Sequence, residues 1–179
     1  MELRTDRLLL RPAAAADLEP LHAILSDARA TAYWSTPAHA DLEQTRRWLQ
    51  SMLDIPPGEG EDFMVELDGR LIGKAGLFRF PEIGFIFHPD HWGRGFATEA
   101  LDAVLERAFA VHRLERVEAD VDPDNAASLR LLARLGFRET SRKRRTWFVN
   151  GRWCDSVYLH CDAAGWSAAR AAISSPARR

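Results

Sequence analysis

The sequence predicts an α/β (α+β) fold in which a mixed, mostly antiparallel, twisted sheet of about seven strands is flanked by about four helices. Three observations carry this. Short apolar or alternating runs bounded by turn residues recur along the chain as strands do. Longer stretches repeat apolar residues every three or four positions, as helices do. Three of the strand runs follow one another across turns too short for a crossover, which makes them antiparallel neighbours. At 179 residues, 46% hydrophobic and 28% charged, the chain suits one globular domain, residues 1–162, with a C-terminal tail over 163–179.

The elements follow in order. In "RLLLRPAAAADLEPLHAILSD" an apolar strand, Leu8 to Leu10, is stopped by Pro12, and a helix follows with Leu18, Leu21, His22 and Leu25 on one face. "DLEQTRRWLQSMLD" is a second amphipathic helix carrying Leu42, Trp48, Leu49, Met52 and Leu53. It ends before "IPPGEGED", a loop made acidic by Glu59, Glu61 and Asp62. "FMVEL", "RLIGKAGLFRF" and "EIGFIFH" are the three-strand meander, turned at Asp68-Gly69 and Pro81. A long one-sided helix then presents Leu101, Val104, Leu105, Ala108 and Phe109. "RVEADV" is a strand, and "DPDNAASLRLLARLG" a helix with proline near its start and Gly136 past its end. "FRETSRKRRTWFV", Asn150-Gly151 and "RWCDSVYLH" form a hairpin, and from about Ala163 a helical turn leads into a disordered "SSPARR".

Composition excludes several functions. A net charge of −2 provides no global field for nucleic acid or an anionic membrane. No apolar run approaches bilayer length and the N-terminus lacks signal-peptide features, so a cytoplasmic monomer or homodimer is expected. Cys154 and Cys161 lie about 23 Å apart along an extended strand and cannot bridge each other there. No metal is expected, because His88 and His91 lack a convincingly spaced third ligand. The basic run in "SRKRRTWF" reads as a solvated strand face or as a surface for nucleic acid or an acidic peptide, the first being the commoner case.

The most informative stretch is "HPDHWGRGFATEAL", residues 88–101. It matches neither the dinucleotide fingerprint G-x-G-x-x-G nor the triphosphate loop G-K-[ST]. What remains is strand, glycine turn and helix, with a helix start near Phe96 to Thr98. Such a turn either punctuates the chain or brings free backbone N–H groups and a positive dipole end up to an anion.

The order of elements, together with "EIGFIFHPDHWGRGFATEAL", "DPDNAASLRLLARLGF" and "GRWCDSVYL", resembles the GNAT N-acetyltransferase superfamily and, within it, the RimJ/RimL-like branch. The resemblance runs from Arg4 to about His160 and implies acetyl-CoA as cosubstrate. In the family's coenzyme A loop, [QR]-x-x-G-x-[GA], Gly95 and Ala97 fill the last two fixed places and Trp92 stands at the first. The resemblance therefore assigns the pyrophosphate to backbone amides across Gly93, Arg94, Gly95, Phe96, Ala97 and Thr98. It assigns the pantetheine arm to the backbone of Phe85, Ile86 and Phe87, in a gap between the strand Ile83 to His88 and the strand Arg116 to Val121. Asn125 and Ser128 keep the branch's N-x-x-S pattern, while Leu132 replaces the tyrosine that many relatives place there to protonate the thiolate.

Acetyl transfer needs a neutral amine, and at pH 7 a lysine amine pays about 4.6 kcal/mol for neutrality against about 1.4 kcal/mol for an α-amine. Glu82, at the head of the fourth family strand with Gly84 and Ile86 as alternation partners, is either a partly desolvated base acting through water or a solvated charge. Ser128, on the face of Leu131, Leu132 and Leu135, is either the acid for the leaving thiolate or a serine bonded to its own helix. Tyr33 and Trp34 line the acceptor site in relatives or are core aromatics. The expected function is acetyl transfer to a primary amine, a protein N-terminal α-amine or a small-molecule amine. The rival is an acyl-CoA-binding sensor that has lost turnover. The acidic loop favours a cationic amine and the basic run an acidic peptide.

Overall fold

The computed structural model describes residues 1–174, and its strands form one continuous sheet. In chain order the elements are β1 (Leu3–Arg4), β2 (Leu8–Arg11), α1 (Leu18–Leu25), α2 (Leu42–Leu53), β3 (Glu61–Leu67), β4 (Arg70–Arg79), β5 (Glu82–Phe87), α3 (Phe96–Ala110), β6 (Val117–Val121), α4 (Ala126–Arg134), β7 (Arg138–Val149), β8 (Arg152–Cys161) and α5 (Ala163–Ser174). Sheet order is β1-β2-β3-β4-β5-β6-β8-β7. All pairings are antiparallel except β5 with β6. The meander is as the turn chemistry predicts: Asp68 and Gly69 both take positive φ, the geometry that lets a tight hairpin follow strand twist.

Strand alternation divides the core between the two sheet faces. Phe63 and Val65 belong to the larger cluster with the buried stripe of α3, whereas Met64 turns to the other face with Ile86 and the inner sides of α1 and α2. Helix α3 buries Ala100, Leu101, Val104, Leu105 and Ala108 much as its periodicity predicts. Helix α2 does so less closely. Leu42 and Leu53 are 40% and 41% exposed, and Thr45 is buried instead, its hydroxyl shared between His22 and His39.

Several boundaries differ from expectation. An eighth, two-residue strand, β1, pairs with β2. Helix α4 starts only at Ala126, after Asn125 caps it by accepting from the Ser128 amide at 3.1 Å, and leaves Pro123 in the preceding turn. Glu61 and Asp62 belong to β3 rather than to a loop. The helical turn expected from Ala163 is the twelve-residue α5, held by Trp166 Nε1 donating to Asp102 and by Arg170 beside Asp102 and Glu106. Beyond Ser174 the expected "SSPARR" tail lies outside the described residues. No described helix is long and apolar enough to cross a membrane.

Candidate active site

Gly93 and Gly95 both sit at positive φ, 72° and 81°, and Gly95 is the N-cap of α3. A left-handed glycine cap offers no side chain to the first helical turn. Among the described residues, no backbone N–H from Gly93 to Thr98 donates to a backbone acceptor. Phe96 is buried and fixes the helix start, while Ala97 and Thr98 are half-buried beside it. The exposed Trp92 ties the loop to the end of β5, its Nε1 donating to the Phe87 carbonyl at 2.9 Å. Free amides at the positive end of a fifteen-residue helix can donate to an anion's oxygens.

Next to this loop the sheet opens. β5 is hydrogen-bonded to β4 along Gly84, Phe85, Ile86 and Phe87, but its parallel pairing with β6 is confined to Glu82 opposite Glu118. One edge of Phe85 to Phe87 is therefore unpaired with β6. Ile86 and Phe87 are buried on opposite faces, so only their backbone is available to a ligand arm, whereas Phe85 also lines a cavity of about 1110 Å³.

That cavity gathers Tyr33, Trp34, Glu82, Phe85, Asn125 and Ser128 from three parts of the chain. Glu82 opens β5, 39% exposed, and pairs with Arg79 at 2.5 Å. At the strand's open end Glu82 is thus partly buried beside a guanidinium. Ser128 is half-buried and its hydroxyl bonds nothing among the described residues, so the bond to its own helix is not formed. Tyr33 is 45% exposed, and Trp34 packs tilted against Trp48 at 6.4 Å.

A computed profile of the acetyltransferase (GNAT) domain matches residues 7–138. The chain belongs to the GNAT family. N-acetyltransferase p20 of Bacillus licheniformis is 32% identical over 166 residues, 88% of this chain and 93% of that protein. Spermidine N(1)-acetyltransferase of Escherichia coli K12 is 28% identical, covering 84% of this chain and 83% of that protein. A GNAT-family acetyltransferase from Bacillus anthracis, 26% identical, superposes with a TM-score of 0.79 over 90% of this chain and 98% of that one. The protein is an N-acetyltransferase that uses acetyl-CoA to acetylate an amine.

The GNAT fold explains why sequence reasoning missed several residues around the site. Arg7 comes from the turn between β1 and β2, yet its Nη1 donates to the Arg94 carbonyl at 3.1 Å and its Nη2 lies 3.4 Å from where a side chain on Gly95 would begin. Glu99, in the first turn of α3, holds that arginine and also accepts from the Thr5 hydroxyl at 2.5 Å. Burial works against ionising Glu99, but the hydrogen bonds from Thr5 and Arg7 outweigh it and hold its carboxyl below the usual range. The first turn of the helix is thus clamped to the N-terminal strands across more than ninety residues. No local spacing signals such a contact.

Asp62 and Lys74 were missed for the same reason. They pair at 2.5 Å with side chains 1% and 2% exposed, and both line the cavity. Burial, opposed by the ammonium, pushes the Asp62 carboxyl up. Within the acidic stretch Asp62 pairs with Lys74, and Glu61 with Arg107 and His112. The basic run lies on the exposed face of edge strand β7, where Arg142 pairs with Glu139 and Arg145 stacks on Trp153.

Proposed function

We propose that this acetyltransferase, a RimJ/RimL-like GNAT, transfers acetyl from acetyl-CoA directly to a primary amine in a ternary complex. The acceptor is a peptide N-terminal α-amine or a small-molecule amine. The observation that supports it most is the half-open seam between β5 and β6, which runs from the unbonded amides of Gly93–Thr98 to the cavity holding Glu82 and Ser128. The loop amides take the pyrophosphate, with Trp92 pinning the loop and Arg94 adding its charge. The backbone of Phe85 to Phe87 takes the pantetheine arm as an added strand would. Tyr33 and Trp34 flank the acceptor. Glu82 receives the amine's proton through water, and Ser128, positioned by the Asn125 cap, gives a proton to the departing thiolate.

The direct test is release of free coenzyme A from acetyl-CoA across a panel of peptide α-amines, amino acid amides, polyamines and aminoglycosides. Release with at least one amine is expected. Binding of acetyl-CoA without release to any of them would reduce the protein to an acyl-CoA sensor.

Two variants test the assigned roles. Glu82→Gln keeps shape but removes the base, so kcat/KM should fall about 100-fold near pH 7, with the deficit shrinking as pH nears the amine's own pKa. That value is near 8 for an α-amine and near 10.4 for a lysine-type amine. Superimposable profiles from pH 6 to 10 would exclude Glu82. Ser128→Ala should lower kcat about tenfold with the acetyl-CoA Kd within twofold of wild type. Equal kcat would return Ser128 to packing.

A further inference from the structure

On the sheet face beneath α1 and α2, Asp62, Gly76 and Gly84 lie side by side on β3, β4 and β5, and Met64, Lys74 and Ile86 form the next row. The two glycines leave a hollow in the sheet. A side chain on Gly76 would collide with Asp62, its first atom only 2.6 Å from Oδ1, and one on Gly84 would begin 3.3 Å from the Phe78 ring and 3.7 Å from Lys74 Nζ. Lys74 extends into this hollow beneath Trp34, Trp48 and Phe78, its Nζ 5.8, 5.3 and 5.9 Å from their ring centres. An aromatic box that could hold a cationic substrate is therefore already filled by the protein's own cation.

The hydrogen-bond inventory of the hollow is lopsided. An ammonium has three donors, and Lys74 spends one, on Asp62 Oδ2. The Trp34 indole Nε1 is buried with no partner. Both side chains line the cavity, and their unspent donors lie buried in its wall. The unpaired acceptor, Asp62 Oδ1, is tucked against Gly76. The Trp34 indole is held over Lys74 by ring contacts and not by a hydrogen bond, so turning it aside uncovers the ammonium without breaking a polar contact.

We propose that Lys74 and Trp34 form a donor subsite for an oxygen of the acceptor, which selects an amine carrying a carbonyl or carboxylate beside the reacting nitrogen and disfavours a polyamine. A polyamine brings only further N–H donors and a second cation against Lys74, leaving both sets of donors unmatched. Asp62 holds the Lys74 ammonium in place at 2.5 Å in its dry surroundings. This rests on the transferase reading above and adds the chemical class of its acceptor.

The test titrates the full-length protein with coenzyme A bound, using quenching of tryptophan fluorescence to follow glycinamide and, separately, diaminopropane, which has as many heavy atoms but no oxygen. Glycinamide should bind at least about tenfold more tightly. In the charge-free double variant Asp62→Asn/Lys74→Met the ratio should fall to within about twofold while the coenzyme A Kd holds. Equal or tighter binding of diaminopropane by the wild type overturns the proposal, and so does an unchanged ratio in the folded double variant. Should that variant fail to fold, Trp34→Phe, which keeps the ring and deletes the donor, must still lower the ratio about threefold, and failure to do so overturns it. Absence of coenzyme A release with every amine defeats the transferase reading alone, because the binding ratio is read without turnover.

Discussion

Replacing Gly95 with valine should raise the Kd for acetyl-CoA by at least ~100-fold while leaving a folded protein. At φ 81° the residue occupies the left-handed region, where a β-branched side chain is strained by about 1–3 kcal/mol. The loop can relieve that strain only by rotating the peptide planes whose N–H groups make the anion receptor. The valine methyls would also stand between those amides and the phosphate, on the side where Arg7 Nη2 already lies at contact distance. A loss of 100-fold corresponds to ~2.7 kcal/mol, within reach of the two effects together. Since Gly95 is exposed and the buried stripe of α3 is untouched, denaturant unfolding should show a deficit no larger than the strain itself. Calorimetry giving wild-type affinity in a folded Gly95→Val protein would remove the phosphate assignment from this loop.

Lys74→Met should be the most destabilising of the substitutions considered, by about 3–5 kcal/mol in urea unfolding, because it strands the Asp62 carboxylate with side-chain exposure of 1%. Adding Asp62→Asn should restore most of that loss, since a buried ion pair is worth little over an uncharged replacement of similar volume once both desolvation penalties disappear. The two outcomes separate stability from function. A single variant as stable as wild type would mean that water or another group reaches Asp62, and the dry pair under Trp34, Trp48 and Phe78 would have to be abandoned. Recovery of stability in the double variant, without recovery of acceptor preference, is the pattern expected of a pair kept for recognition.

Much of the segment proposed for acetyl-CoA was legible before any coordinates because its parts are contiguous. Strand β5, the glycine turn and α3 run in sequence from Glu82 to Ala110, so periodicity and glycine placement describe them locally. The capping role of Asn125 was within reach of the same reasoning, as the residue lies three positions before the amide it accepts from. The acceptor side was less accessible. "GEGED" looked like an acidic loop because its residues are charged and follow two prolines. Its last two residues, Glu61 and Asp62, instead open β3, where Arg107 and His112 pair with the first and Lys74, twelve residues on, with the second. Glu82 was legible as the first residue of β5, but its pairing with Arg79 was not.

Sequence alone determined the antiparallel meander, the one-sided α3 and the glycine turn that starts it, because each depends on backbone preferences and side-chain periods expressed within one or two turns of chain. Tertiary structure alone decided that Arg7 and Glu99 clamp that turn and that Lys74 fills an aromatic box over Asp62. These depend on which strands become neighbours and on what their burial leaves unpaired. A buried charge finds its partner through the packing of the whole sheet, and no spacing along the chain encodes that choice.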